Sequence, residues 1–245
     1  FFANDFAGAE EPLEKFILDY GEAEEAKEAA RLHRPLVAIC KVGLKKFDEA
    51  LKWIDQSLLD PKIERVLSDE LRFWRGLCLM TGGELVAAQR AFGEYWADER
   101  HNAFKRYEAL LLFAHLYLMQ GFPAEAADFL ESQLRQVREA APEAAGRAVV
   151  LALHARMQAG QRDEALAVIR REHANLGGMT QVAVFQTLAL QLGADFLEEE
   201  RFHDAIICLQ RIWSAQRIVD YQNQKISQIE TRIADLEARP NTQGT

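Results

Sequence analysis

The residues with the most chemical potential in this sequence are six histidines and three cysteines. The histidines are His33, His101, His115, His154, His173 and His203. His115 and His154 stand 39 residues apart in similar surroundings. A pair of imidazoles could begin a metal site, but no third ligand falls at a workable spacing, so no metal is expected. Cys40, Cys78 and Cys208 lie far apart in apolar runs, without CxxC or Cys/His spacing. They read as buried free thiols rather than zinc ligands or nucleophiles, because a reactive thiol needs an electropositive, accessible setting. The serines Ser57, Ser68, Ser132, Ser214 and Ser227 lack His and Asp companions. Glu198, Glu199 and Glu200 sit at a helix end, with nothing apolar beside them to split their pKa values for acid and base work. Gly82-Gly83 and Gly177-Gly178 read as helix-connecting turns, not phosphate loops. These residues predict no enzyme and no cofactor.

The elements that would hold such residues are helical. Of 245 residues, 37 are Ala and 30 are Leu, against 29 for Val, Ile and Thr together. That balance favours helices over sheets. The net charge is −9, and residues 1–30 carry nine acids against Lys15 and Lys27. No block of Lys and Arg exists to track phosphates, so nucleic acid is not an expected partner. The longest apolar stretch, 109–119, is broken by His115 and too short to span a bilayer, so no membrane insertion is expected in this segment. Three separated apolar cysteines favour a reducing, cytoplasmic compartment. A chain beginning Phe-Phe-Ala reads as a segment of a longer one, which leaves an envelope location open.

One pattern recurs five times. A turn residue is followed by an often large one, two usually polar ones, then Ala and an amphipathic helix. The first copy reads Lys45-Lys46-Phe47-Asp48-Glu49-Ala50, and the alanines Ala50, Ala88, Ala126, Ala165 and Ala205 are spaced 38, 38, 39 and 40 residues apart. Twelve residues before each alanine stand Ala38, Gly76, Ala114, Leu153 and Gly193. Four residues after it stand Ile54, Phe92, Leu130, Ile169 and Leu209. Small residues let two helices approach, and larger ones fill the space beside that contact. A fixed pitch of this length marks stacked helix pairs, none of which buries its apolar face alone.

The pattern resembles the tetratricopeptide repeat (TPR), over roughly residues 31–213. It departs from that repeat in its longer pitch and in placing Lys41 and Arg156 where a Tyr or Leu is usual. The resemblance implies an all-α, right-handed α-α superhelix of about five helix pairs. It also implies that first-helix positions line a concave groove. Those are Phe73, Leu77 and Met80; Leu111, His115, Leu118 and Met119; Val150, His154 and Met157; and Leu190. The slots with which one subtype holds a C-terminal carboxylate carry Pro35, Ile39, Trp74, Leu77, Glu108 and Leu112 instead, so that clamp is not expected.

The ends differ from the middle. Residues 1–30 form an acidic helical segment, either a solvated face or a contact for a basic partner. Residues 214–238 carry Val219, Gln222, Ile226, Ile229, Ile233 and Leu236 at heptad spacing, and residues 239–245 form a tail. That helix either caps the last repeat or pairs with another chain to make a homo-oligomer. Three functions remain open at this stage. The first is a non-catalytic scaffold that takes a partner's peptide or helix in an apolar groove. The second is a structural or oligomerisation module. The third is a small-molecule or metal-binding regulatory domain around His115 and His154.

Overall fold

A computed structural model describes residues 5–176, 178–211 and Ser227 of the chain. All regular structure among the described residues is α-helical. The helices are α1 (Phe6–Tyr20), α2 (Lys27–Gly43), α3 (Phe47–Leu58), α4 (Arg65–Thr81), α5 (Leu85–Ala97), α6 (Ala103–Met119), α7 (Pro123–Ala140), α8 (Pro142–Gln158), α9 (Arg162–Glu172) and α10 (Met179–Glu198). An eleventh helical run, α11, covers residues 202–211. The heptad positions Val219 to Leu236 lie outside the described residues. The chain divides into two compact units, one up to Ala144 and one from Ala145.

The five recurring turns share one geometry. Lys45, Gly83, Gly121, Gly160 and Glu200 all have positive φ, between 59° and 83°. Each follows a helix and closes it with two backbone hydrogen bonds. In the second copy Gly83 N–H donates to Met80 O and Glu84 N–H to Leu79 O; Gly121/Phe122 and Gly160/Gln161 repeat the arrangement. This is the Schellman closure, which satisfies the last carbonyls of a helix through one left-handed residue. The next residue turns the chain sharply, and Leu85 and Arg162 donate back to the carbonyls of Gly83 and Gly160. The second helix of the pair then begins. Three copies use glycine in the left-handed slot, while Lys45 and Glu200 adopt it with a Cβ in place.

The recurring alanines are the inner contact of each pair. Ala50, Ala88, Ala126, Ala165 and Ala205 are all fully buried. Gly76 shows why its slot is small: a Cβ there would come 2.7 Å from the Phe92 ring. Ile54, Phe92, Leu130 and Ile169 are also fully buried, while Leu209 of the fifth copy is 45% exposed.

In the first unit each helix from α1 to α7 packs on its sequence neighbour. The first helices also meet, α2 against α4 and α4 against α6. Phe73, Phe92 and Tyr95 fill the interior of the second pair, joined by Leu116 of α6, with Phe73 edge-on to both Phe92 and Tyr95. In the second unit, α8 and α9 bury Ala148, Val149, Ala152, Leu153, Leu166 and Ile169, and α10 buries Phe185, Leu192 and Phe196.

The acidic N-terminal segment packs against the first repeat. Asp5 caps α1 by accepting from Gly8 N–H at 2.9 Å. Ile17 packs with Ala30 and Val37 under Trp53. Lys41 is 1% exposed and donates to Glu10 (2.9 Å), Glu14 (3.0 Å) and Glu49 (2.6 Å). Lys46 donates to the Glu10 carboxylate as well. The lysine in an apolar slot is therefore matched by two carboxylates brought in by α1 and one from α3. Glu22, Glu24 and Glu25 remain on the exposed surface. No described helix is long and apolar enough to cross a membrane.

Candidate functional site

The expected strip divides between the units. In the first, α4 holds Phe73, Leu77 and Met80, and α6 holds Leu111, His115, Leu118 and Met119. Phe73 and Leu111 are 9% and 8% exposed and belong to the interior rather than to an open surface. Leu77, Met80 and Leu118 are half-buried, His115 is exposed, and Met119 is 48% exposed. Leu77 and Met80 rest their inner sides on the Phe73–Phe92 cluster, so their outer sides form an apolar surface backed by packed core. In the second unit, Val150, His154 and Met157 are half-buried on α8, and Leu190 on α10 is 49% exposed. His154 meets the side chain of Gln158 one turn on, at 3.2 Å. His115 and His154 fall in different units. No group of three His, Cys, Asp or Glu side chains among the described residues could hold a metal ion.

The three thiols are buried and unlinked. Burial first, then nearby carboxylates, pushes Cys78 and Cys208 up to about 11 and raises Cys40 as well. A thiol so protonated is a poor nucleophile at neutral pH.

A cavity of about 580 Å³ opens in the first unit, away from the strip. None of the eleven strip residues lines it. One wall is a face of α4 that presents Arg65, Ser68, Asp69, Arg72 and Arg75, at helical spacings of three and four. Leu58 and Ile63 supply an apolar edge, and Glu94 and Tyr95 of α5 stand opposite. The connection after α5 completes it. There Asp98 accepts from the Arg100 backbone N–H at 3.0 Å and takes its guanidinium at 2.7 and 2.6 Å. Those bonds hold the Asp98 carboxyl far below the usual carboxylate range.

His101, 9% exposed, stacks flat on Tyr95 with ring centroids 4.0 Å apart. Its Nδ1 stands 3.2 Å from Asp69 Oδ1 and its Nε2 3.8 Å from Asp98 Oδ2. The Nδ1 contact is out of line for a hydrogen bond, and Nδ1 makes none. Burial, with Asp69 and Glu70 nearby, raises the Tyr95 hydroxyl to about 12. The sequence carried this site as the spacing Arg65–Arg72–Arg75, a run that ordinarily denotes a solvated helix face. Nothing in the sequence marked His101 as its floor.

No family model matches the chain, and no curated protein matches its sequence. Solved structures do match. BtubC from P. vanneervenii is 14% identical with a TM-score of 0.55, over 99% of this chain and 95% of that one. YrrB, a TPR protein with an unusual peptide-binding site, is 14% identical with a TM-score of 0.51, over 87% of this chain and 97% of that one. A Podosopora anserina kinesin light chain with nearly identical TPR-like repeats is 15% identical with a TM-score of 0.51, over 77% and 95%. At these identities the likeness defines a class of architecture. The chain has the all-α helical-repeat fold of the tetratricopeptide type.

Proposed function

We propose that this chain is a non-catalytic protein-interaction scaffold that takes an apolar peptide or helix of a partner on the α4 and α6 part of its first-helix strip. The carrying observation is the outer surface of α4 and α6. Leu77 and Met80 keep apolar area at the surface while resting on a packed interior, and half-buried Leu118 and exposed Met119 add apolar area on α6. Apolar area of this kind favours an amphipathic segment with anchors at i, i+3, i+4 and i+7. Methionine adapts to more than one partner shape. The fold supports the same reading, because stacked helix pairs give extended surfaces rather than enclosed reaction chambers.

The test is selection of binding peptides from a displayed library of amphipathic helices, followed by Leu118→Asp and Met119→Asp. Both side chains reach the surface, so the variants should keep the wild-type circular dichroism spectrum. Selected peptides should bind each variant at least tenfold more weakly. Undiminished binding to both would remove the strip as the partner surface.

A further inference from the structure

We infer that the cavity between α4, α5 and the 98–101 connection is a second recognition site, for an extended acidic peptide whose carboxylates are three residues apart. The site stands on its own residues and does not depend on the strip.

The cations come first. Arg75 is neutralised by Asp55 at 2.7 Å, and Arg100 by Asp98 at 2.6 Å. Arg65 and Arg72 are not matched in this way. Arg65 donates through Nη2 to the Arg100 carbonyl at 3.0 Å, and its nearest carboxylate oxygen is on Asp69, 3.9 Å away. Arg72 donates to Ser68 Oγ at 3.4 Å, and among the described residues no carboxylate lies within ion-pair distance of it. A guanidinium has five donors in a planar fork suited to a carboxylate, so both keep donors free for a ligand.

The second observation is His101. It is more than nine-tenths buried at the floor of the same cavity, and its Nδ1 makes no hydrogen bond. Its two nitrogens face Asp69 at 3.2 Å and Asp98 at 3.8 Å, so the ring lines the cavity between those carboxylates and beside the guanidiniums.

Size and spacing then choose the ligand. A cavity of about 580 Å³ takes a few side chains and excludes a helix, whose diameter with side chains is about 10–12 Å. Arg65 and Arg72 are seven residues apart on α4, which is about 10 Å along its axis. In an extended left-handed peptide, side chains three residues apart share a side and are separated by about 9 Å. Two carboxylates so spaced can each engage one arginine. An apolar side chain between them would rest on Leu58 and Ile63. Asp69 and Asp98 also line the cavity but face Arg65, His101 and Arg100, whereas Glu94, exposed across it, opposes an acidic ligand and tunes its affinity.

Fluorescence anisotropy with a labelled decapeptide tests the site. The peptide carries two glutamates three residues apart with a leucine between them. It should bind the wild-type chain, and binding should weaken as salt is raised. Arg72→Gln and Arg65→Gln should each weaken it about tenfold, with unchanged circular dichroism. Arg72→Lys should fall between, and Glu94→Gln should bind more tightly. Leu118→Asp on the strip should leave binding unchanged, which separates the two surfaces. Equal affinity for Arg72→Gln would overturn the site. Equal affinity for a peptide with adjacent glutamates would overturn the spacing. Displacement by inorganic phosphate at the same concentration as peptide would make the cavity a simple anion pocket and overturn the peptide assignment.

Discussion

At the residue scale, Lys41 shows how one polar side chain can decide a contact between elements. Burial alone would push its ammonium down, but the hydrogen bonds it donates to Glu49, Glu10 and Glu14 outweigh burial and hold its pKa above the ordinary 10.5. Glu10 sits below its ordinary 4.5, chiefly through Lys46, and Glu49 does so through Lys41. A depressed carboxylate contributes stability above its unfolded value that is lost as pH falls through its folded value. The contact of α1 with the first repeat should therefore weaken below about pH 4.5, seen as a drop in the urea midpoint between pH 6 and pH 3. The raised lysine acts on the alkaline side, contributing up to its ordinary value and losing that contribution as pH rises through the folded one. Lys41→Leu alone leaves the Glu10 carboxylate buried beside one remaining cation and should cost about 3 kcal/mol in urea unfolding at pH 7. Adding Glu10→Leu should recover most of that loss. The sequence flagged Lys41 as out of place in its slot. It could not show the remedy, because Glu10 lies 31 residues away on another helix.

At the element scale, the repeated turn was the most legible feature. The Ala pitch, the small residue twelve before and the large one four after all place the helix starts within a residue or two. The sequence did not reveal that the turn residue is left-handed in every copy. Lys45 and Glu200 occupy that slot with a Cβ, at a conformational cost of about 1–2 kcal/mol each. Lys45→Gly should therefore raise stability by about 0.5 kcal/mol, a net gain after the entropy of the added glycine, read from chemical denaturation. Gly76→Val should act the other way. Its side chain would collide with the Phe92 ring, and overpacking should cost about 2 kcal/mol; Phe92→Leu in the same chain should return part of it. Two groove expectations did not survive as surface. Slot position puts Phe73 and Leu111 in the groove, while the repeat pattern also reads Phe73 as a core aromatic; both turn into the interior, where Phe73 meets Phe92 and Tyr95. Slot position tells which helix a residue is on, but not how far a large ring tilts toward the neighbouring helix.

At the scale of the whole molecule, stability should follow a chain of neighbours rather than one shared core. Helix pairs in a repeat array contact mainly those beside them, so damage stays local before it spreads. Hydrogen exchange on Gly76→Val should accelerate amides of α4, α5 and α6 first, and leave those of α9 and α10 close to wild type. Uniform acceleration along the chain would point to a single cooperative unit instead. Helical architecture and repeat count were readable from composition and pitch. The arginine-lined cavity was not, because it needs α3, α4, α5 and a connection assembled in three dimensions. The buried cysteines have a consequence of their own. Each compact unit encloses at least one protonated, inaccessible thiol, Cys40 and Cys78 in the first and Cys208 in the second. A thiol-reactive dye can reach them only when the helices around them part. The molecule thus carries an internal clock in each half, and the order in which the three sulfurs become labelled is a record of which helix pairs open first.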